Sequence, residues 1–346
     1  MTRSKTMRTL ILAGLLMCLL NPDVRVNGQE LDYAPYVGIP AGWKLIEGDI
    51  LVPDIPLQAT FPNYIYIYRA SYWPAGIVPY EFDENVSPDN QARMLAAMAE
   101  WEAVANIQFV DKQLGHNSYL YIYNSDFNAS GLGMPDFGKR EVFIANWDYR
   151  FIMAHELGHA LGFWHEQSRP DRDEYVMINR ANVNMTDKEF VDNFGKKDAQ
   201  YTNVYGPYDF DSLMHYDQYA FSICLNPVAD PENCRTITVK PPWDVKWQDT
   251  IGQRDHLSNL DALTMSFLYP DDDWVFVNGY YALAPAYTGL APFGTFLSPY
   301  REFTNAAWAV PPGGTVIIQP GVYSAVGEYT NAMTLRAPLG SVTLGE

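Results

Sequence analysis

Basic residues are scarce in this chain: 23 Lys and Arg stand against 41 Asp and Glu, a formal charge of −18 at pH 7. So acidic a surface repels polyanions, which excludes nucleic-acid binding and electrostatic docking on anionic membranes. Cysteine is nearly missing, with three among 346 residues. Stability therefore has to come from a core, for which 48% hydrophobic composition is ample. Long apolar runs are missing too. The run from Thr9 to Leu20 is too short to span a bilayer stably, and no later segment approaches the roughly 18 consecutive apolar residues that a membrane span needs.

That first run carries a different message. Arg3, Lys5 and Arg8 precede it, and Val26 and Gly28 are small enough for a signal-peptidase site before Gln29. Residues 1–28 thus read as a secretory signal, which predicts a soluble protein exported to an extracellular or periplasmic space. Cys18 follows Met17, where a lipoprotein signal wants a small residue, so lipidation is discounted. Without residues 1–28, which hold four basic residues and one acidic one, 19 basic face 40 acidic residues, a charge of −21. Only Cys224 and Cys234 remain, and in an oxidising compartment they are expected to form a local disulfide.

Residues 155–166 read HELGHALGFWHE, which sets His155, His159 and His165 around Glu156 and Gly162 in the spacing HExxHxxGxxH. Two histidines four apart on a helix share a face, so the His155 and His159 imidazoles can reach one metal ion. Gly162 lacks a Cβ and can end the helix in a left-handed conformation, turning the chain so that His165 brings a third imidazole. Three neutral imidazoles leave a fourth tetrahedral position for water, the arrangement of a catalytic zinc site rather than a closed structural one. Glu156, beside the first ligand, is the natural general base for a water attacking a peptide carbonyl. A bare HExxH also occurs in helices that bind nothing; the glycine and third histidine in register make the longer string far more demanding.

Downstream, residues 212–217 read SLMHYD. Taken alone, Met214 reads as a core residue and Tyr216 as an ordinary buried aromatic. Together the two segments resemble the astacin family of metzincin zinc endopeptidases, in which HExxHxxGxxHE is followed by a methionine turn of the form SxMHY. The resemblance implies one zinc ion per catalytic domain, Met214 as the hydrophobic floor beneath it, and Tyr216 as a further ligand whose phenol swings away to bond the transition-state oxyanion. It implies protein or peptide substrates as well. WPAGIVPYEF at 73–82 looks like the family's opening strand, SRPDRDEYV at 168–176 follows the third histidine, and IGQRDHLSNLDALTMSFLY at 251–269 matches its closing helix. Glu166 is characteristic of astacins, where it helps anchor the mature N-terminus; the plainer reading is a solvated acid at a helix end. The family's usual disulfide cysteines are absent, with Asn106 standing where one is expected.

Between the signal and this region lies LIEGDI, residues 45–50. Astacin propeptides often carry an FxGD motif whose aspartate binds the zinc in place of water and keeps the zymogen inactive. Asp49 is the candidate for that zymogen-only ligand, with Ile46 in place of phenylalanine, although Gly-Asp is also a plain turn signal. Cleavage between about Asn63 and Ser71, by an activating protease or by the chain itself, would then free the site.

The implied fold is α+β: a zincin-like catalytic domain whose two subdomains flank a zinc cleft, plus a small, mostly β C-terminal domain. Ser87, Pro88 and Asn90 make a helix start before Met94, Met98 and Trp101, spaced for one buried face. The runs IQFV, YLYIY and VFIA at 107, 119 and 142 read as strands, and 128–136 falls near a sheet edge that could pair with an extended peptide. After Gly162 the chain shows little periodicity until Leu260 and is expected to be largely irregular. The expected divisions are a signal over 1–28, a propeptide over 29–65, a catalytic domain over 66–270 and a β-rich accessory domain over 275–346. That last segment, with a short helix at 299–310 and two β-rich runs, loosely resembles the capping helix and first coils of a right-handed parallel β-helix. Its only acids from Val275 onward are Glu302, Glu328 and Glu346, too few for a second glycan-cleaving site. A second function class stays open, an extracellular matrix or glycan-binding protein that contacts its ligand through 275–346 and whose peptidase fold is accessory.

Overall fold

A computed structural model describes residues 39–40, 42–53, 71–197, 206–279, 294–296 and 298–345. The expected signal over 1–28 and nearly all of the expected cleavage region lie outside the described residues. The chain forms two compact units: residues up to Glu100 with 109–204 and 208–258 in the first, and 101–108, 205–207 and 259–346 in the second. Among the described residues no helix is long and apolar enough to cross a membrane.

A mixed seven-stranded sheet frames the first unit, in the order β1-β2-β6-β7-β5-β3-β4. These strands are β1 (Trp43–Ile46), β2 (Ile50–Pro53), β3 (Ile77–Phe82), β4 (Gln108–Asp111), β5 (Ser118–Asn124), β6 (Ala129–Gly131) and β7 (Gly138–Ile144). Alternation decides which face is buried. Leu120 and Ile122 of β5 and Val142 and Ile144 of β7 are fully buried. Tyr119, Tyr121 and Tyr123 on the opposite face form a partly exposed ladder that runs on to Phe143, stacked on Tyr123 at 4.8 Å.

Helix α1 (Pro88–Glu102) starts where the Ser87-Pro88 signal placed it. Helix α2 (Arg150–Leu161) lies against β6 and β7, with nine of its residues buried. A helix buried nearly all round shows no amphipathic period, which is why the metal-binding pattern and not hydrophobic spacing locates it. The Trp73 indole donates to the Ala160 carbonyl at 2.9 Å and ties the chain before β3 to the end of this helix.

Beyond α2 the expected irregularity holds only in part. Helix α3 (Asp187–Phe194) interrupts it, started by a capping box in which Thr186 and Glu189 satisfy each other's main-chain N–H. A Thr-Asp-Lys-Glu string encodes it, a capping-box signal that hydrophobic periodicity passes over. Strands β8 (Val176–Ile178) and β9 (Ile237–Val239) pair antiparallel nearby, and two single-turn helices, α4 (Pro231–Cys234) and α5 (Asp244–Trp247), stand on either side of β9 in the chain. The core here is aromatic, with Phe194, Tyr208, Phe210, Tyr216 and Phe221 all buried. Each such ring contributes roughly 2–3 kcal/mol on burial, and rings delivered singly from short elements leave no hydrophobic period to read. Cys224 and Cys234 form the expected disulfide, with Cα atoms 5.6 Å apart.

In the second unit α6 (Asn259–Leu268) precedes β10 (Trp274–Val277), α7 (Phe303–Ala309) and β11 (Thr315–Ile318). Strands β10, β11 and β13 (Thr334–Arg336) stack in parallel, as do β12 (Gly321–Tyr323) and β14 (Val342–Leu344). Val275, Val277, Val316 and Ile318 pack with α7 on one side, and Phe276 and Ile317 pack with Phe267 on the other. Burial on both faces explains the continuous apolar runs of β10 and β11.

Candidate metal centre

The site is assembled from three short stretches of the first unit. The first is the end of α2, which carries His155, Glu156 and His159. At Gly162 the chain takes φ 119°, and its N–H bonds the carbonyls of Gly158 at 3.1 Å and His159 at 2.9 Å. Phe163 N–H also returns to Gly158 O, at 2.9 Å, so the helix closes in a left-handed cap and the chain reverses. His165 then arrives opposite the first two histidines. The second stretch is the loop 212–216, where Met214 and Tyr216 are each 1% exposed.

The third stretch is the hairpin of β1 and β2. Strand β2 adds to β6 in parallel, with Ile50 opposite Ser130 and Leu51 opposite Gly131. At its tip Glu47 and Gly48 both have positive φ, 52° and 80°. For a residue with a Cβ this conformation costs of order 1 kcal/mol or more, so other contacts must hold it. Glu47 is fully buried and has them. Its main-chain N–H bonds Asp192 O at 3.2 Å, its carbonyl accepts the Tyr216 hydroxyl, and its carboxylate meets Lys197 Nζ at 2.5 Å and His165 Nδ1 at 2.9 Å.

Asp49, His155, His159 and His165 converge. His155 Nε2 lies 3.1 Å from both His159 Nε2 and His165 Nε2, and the Asp49 carboxylate oxygens lie 3.3, 3.5 and 3.4 Å from the Nε2 atoms of His155, His159 and His165. Ligand atoms this close together can share one ion at about 2 Å, the bond length of zinc to imidazole and carboxylate. The tautomers agree. Nδ1 of His155 faces Leu213 O at 3.0 Å and Nδ1 of His159 faces Phe163 O at 2.7 Å. A carbonyl oxygen can only accept, so Nδ1 carries the proton and each Nε2 turns a lone pair to the centre. The donor set therefore fits zinc.

Charge in the site follows from burial and close partners. Burial opposes ionisation of Glu47, but Lys197 and His165 outweigh it and bring its pKa down to about 2. For Asp49 burial is likewise overcome, by the three imidazoles, and the carboxyl falls well below its usual range. Glu156 goes the other way: burial first, and then the charge of Asp49, push it well above an ordinary carboxylate. It is 2% exposed, and its Oε2 has no hydrogen-bond partner among the described residues, so it can take up a proton. Glu166 Oε1 accepts from Asp209 N–H at 2.8 Å and Arg169 Nη1 at 2.9 Å.

Three residues at the site were not foreseen. Glu47 and Lys197 flank His165 as described, and Gln167 accepts the Tyr216 N–H on Oε1 at 2.9 Å while its carbonyl takes Arg172 Nη1 at 2.8 Å. Glu47 stands beside the Gly48-Asp49 turn and Gln167 beside Glu166, but neither falls on a motif position. Lys197 has no local signal at all.

Comparison with known proteins bears on residues 66–270, which match the model of the peptidase family Astacin. Bone morphogenetic protein 1 of Xenopus laevis is 35% identical over 202 residues, covering 57% of this chain and 27% of that protein. Zinc metalloproteinase nas-39 of Caenorhabditis elegans is 34% identical over 225 residues, covering 62% and 23%. The chain thus spans about a quarter of the length of these two relatives. Among solved structures, High choriolytic enzyme 1, a hatching enzyme zinc-protease of Oryzias latipes, is 31% identical with a TM-score of 0.48, covering 58% of this chain and 94% of that one.

Proposed function

The chain belongs to the astacin family of peptidases, and from that premise we propose that it is an exported zinc endopeptidase, made as a zymogen, that cuts peptide bonds in proteins. The observation that carries this reading is the convergence of three Nε2 atoms and one carboxylate beside a buried, unpaired glutamate oxygen. His155, His159 and His165 would hold zinc. When bound, zinc polarises the scissile carbonyl and makes water acidic enough to attack at neutral pH.

The remaining work falls to side chains. Glu156 receives the proton of the attacking water on its free Oε2 and passes it to the leaving amine. Tyr216 donates its phenolic proton to the oxygen that gains negative charge, once its bond to the Glu47 carbonyl is given up. Gly162 sets the turn that presents His165, Met214 is buried in the loop that carries Tyr216, and Glu166 braces that loop by donating its main-chain N–H to Met214 O at 3.0 Å.

In the uncut chain the site is blocked twice. Asp49 fills the fourth ligand position, and β2 lies along β6, the edge an extended substrate would pair with. Residues 29–65 are therefore read as a propeptide, removed by an activating protease or by the chain itself.

Chain cut at the propeptide boundary should cleave casein or gelatin, o-phenanthroline should stop it, and Glu156→Ala should nearly abolish it. Asp49→Ala should raise the residual activity of uncut chain. Normal turnover by the Glu156→Ala variant would sink the mechanism.

A further inference from the structure

Each imidazole of the centre donates a hydrogen bond from Nδ1 to an outer acceptor, and one of the three acceptors differs in kind from the other two. His155 uses Leu213 O and His159 uses Phe163 O, both neutral main-chain oxygens within the family-matched residues 66–270. His165 uses the carboxylate of Glu47, at 2.9 Å, on the hairpin outside that region. A carboxylate in this position makes a charge-assisted bond, fixes the ring and makes its far nitrogen a better donor than a carbonyl does.

We propose that Glu47 completes the metal centre from the propeptide: in the uncut chain it is the outer partner of His165, and it tightens zinc binding separately from ligation by Asp49. This rests on the reading of the three histidines as zinc ligands and of the hairpin as a propeptide. The placement of Glu47 is built, not incidental. Its positive φ turns the side chain inward, and Lys197 fixes the second carboxylate oxygen. Lys197 is itself seated, with its N–H on Ser168 O at 2.8 Å and its Nζ over the Trp164 ring at 4.4 Å. Cutting and releasing the hairpin takes this partner from His165 and leaves the other two imidazoles with theirs. Latency, through Asp49, and metal retention, through Glu47, are thereby joined in one hairpin.

The test compares zinc affinity, by competition with a chromophoric chelator, in uncut wild type, Glu47→Gln and Lys197→Met. Because Asp49 also binds the metal, Glu47→Gln is measured again in an Asp49→Ala background. Expected are zinc binding about 10–100-fold weaker in Glu47→Gln in both backgrounds and a much smaller change in Lys197→Met, which loses the ion pair but keeps the carboxylate on His165. A purely structural Glu47 would instead make the two variants alike. Should Glu47→Gln fail to fold, wild type decides: a downfield imidazole Nδ1 proton from His165, seen in uncut zinc-loaded chain and lost on cutting, supports the proposal, and its absence from uncut chain overturns it. Equal zinc affinity of folded Glu47→Gln and wild type, in a protein that binds zinc and cuts protein once processed, overturns this inference alone. Failure of wild type to bind zinc overturns the peptidase reading and this inference together.

Discussion

The Tyr216 hydroxyl donates to the main-chain carbonyl of Glu47, a residue 169 positions earlier in the chain. On the proposed reading one phenol has two employments, as an anchor for the hairpin before cutting and as a donor to the developing oxyanion after it. Tyr216→Phe separates them. In uncut chain it leaves a buried carbonyl unpaired, with an expected loss of about 1–3 kcal/mol in denaturant unfolding. In processed chain it should lower kcat by roughly 10²–10³-fold with KM little changed. A variant that turns over normally would show that the phenol serves only the hairpin.

Gly162 is the hinge on which His165 depends. At φ 119° a side chain is strained, and the cap bonds to Gly158 and His159 leave the turn no slack. Gly162→Ala should destabilise the protein by about 1–2 kcal/mol or more and weaken zinc binding, because the third imidazole shifts with the turn. Retained zinc stoichiometry at wild-type affinity would count against this account.

Much of the centre was legible because its grammar is local. The i, i+4 histidines, the glutamate between them and the glycine before the third histidine all lie within residues 155–166, where helix geometry alone converts spacing into position. Asp49 and Tyr216 lie far away in sequence and became visible only through the strings LIEGDI and SLMHYD, as a likeness rather than a derivation. Glu47 meets His165 across 118 residues, and Lys197 reaches Glu47 across the fold with no motif of its own. Such contacts depend on where a hairpin docks, which no spacing rule encodes. The aromatic core around Phe194 and Tyr208 escaped for a related reason, since its rings come one at a time from short elements.

The disulfide is expected to act locally. Cys224 and Cys234 are separated by 10 positions, Cys234 closes α4, and neither is among the donors of the metal centre. Closing so short a loop stabilises by roughly 2–3 kcal/mol at most in the chain-entropy account. The double variant Cys224→Ser with Cys234→Ser should lose about that much in melting experiments and keep its zinc and its kcat. Loss of zinc on reduction would mean that the loop supports the centre after all.

The capping box of α3 makes a prediction about acid. Glu189 accepts from the Thr186 hydroxyl at 2.7 Å and from its N–H at 2.8 Å, and these bonds, the hydroxyl first, lower its pKa below the ordinary 4.5. Folding thus favours the charged form, and the resulting stability is fully present above pH 4.5, the unfolded value, and is lost as pH falls through the depressed folded value. Removing the cap by Glu189→Ala should cost about 0.5–1 kcal/mol at pH 7, the size of a capping interaction at a partly exposed helix start. Below pH 4.5 the gap between wild type and variant should narrow, because protonated Glu189 no longer accepts both bonds. Melting temperatures of the two proteins between about pH 7 and about pH 2.5 check this directly. A gap that stays constant to the acid end would mean that the carboxylate charge contributes nothing and that the helix start is held by Thr186 alone.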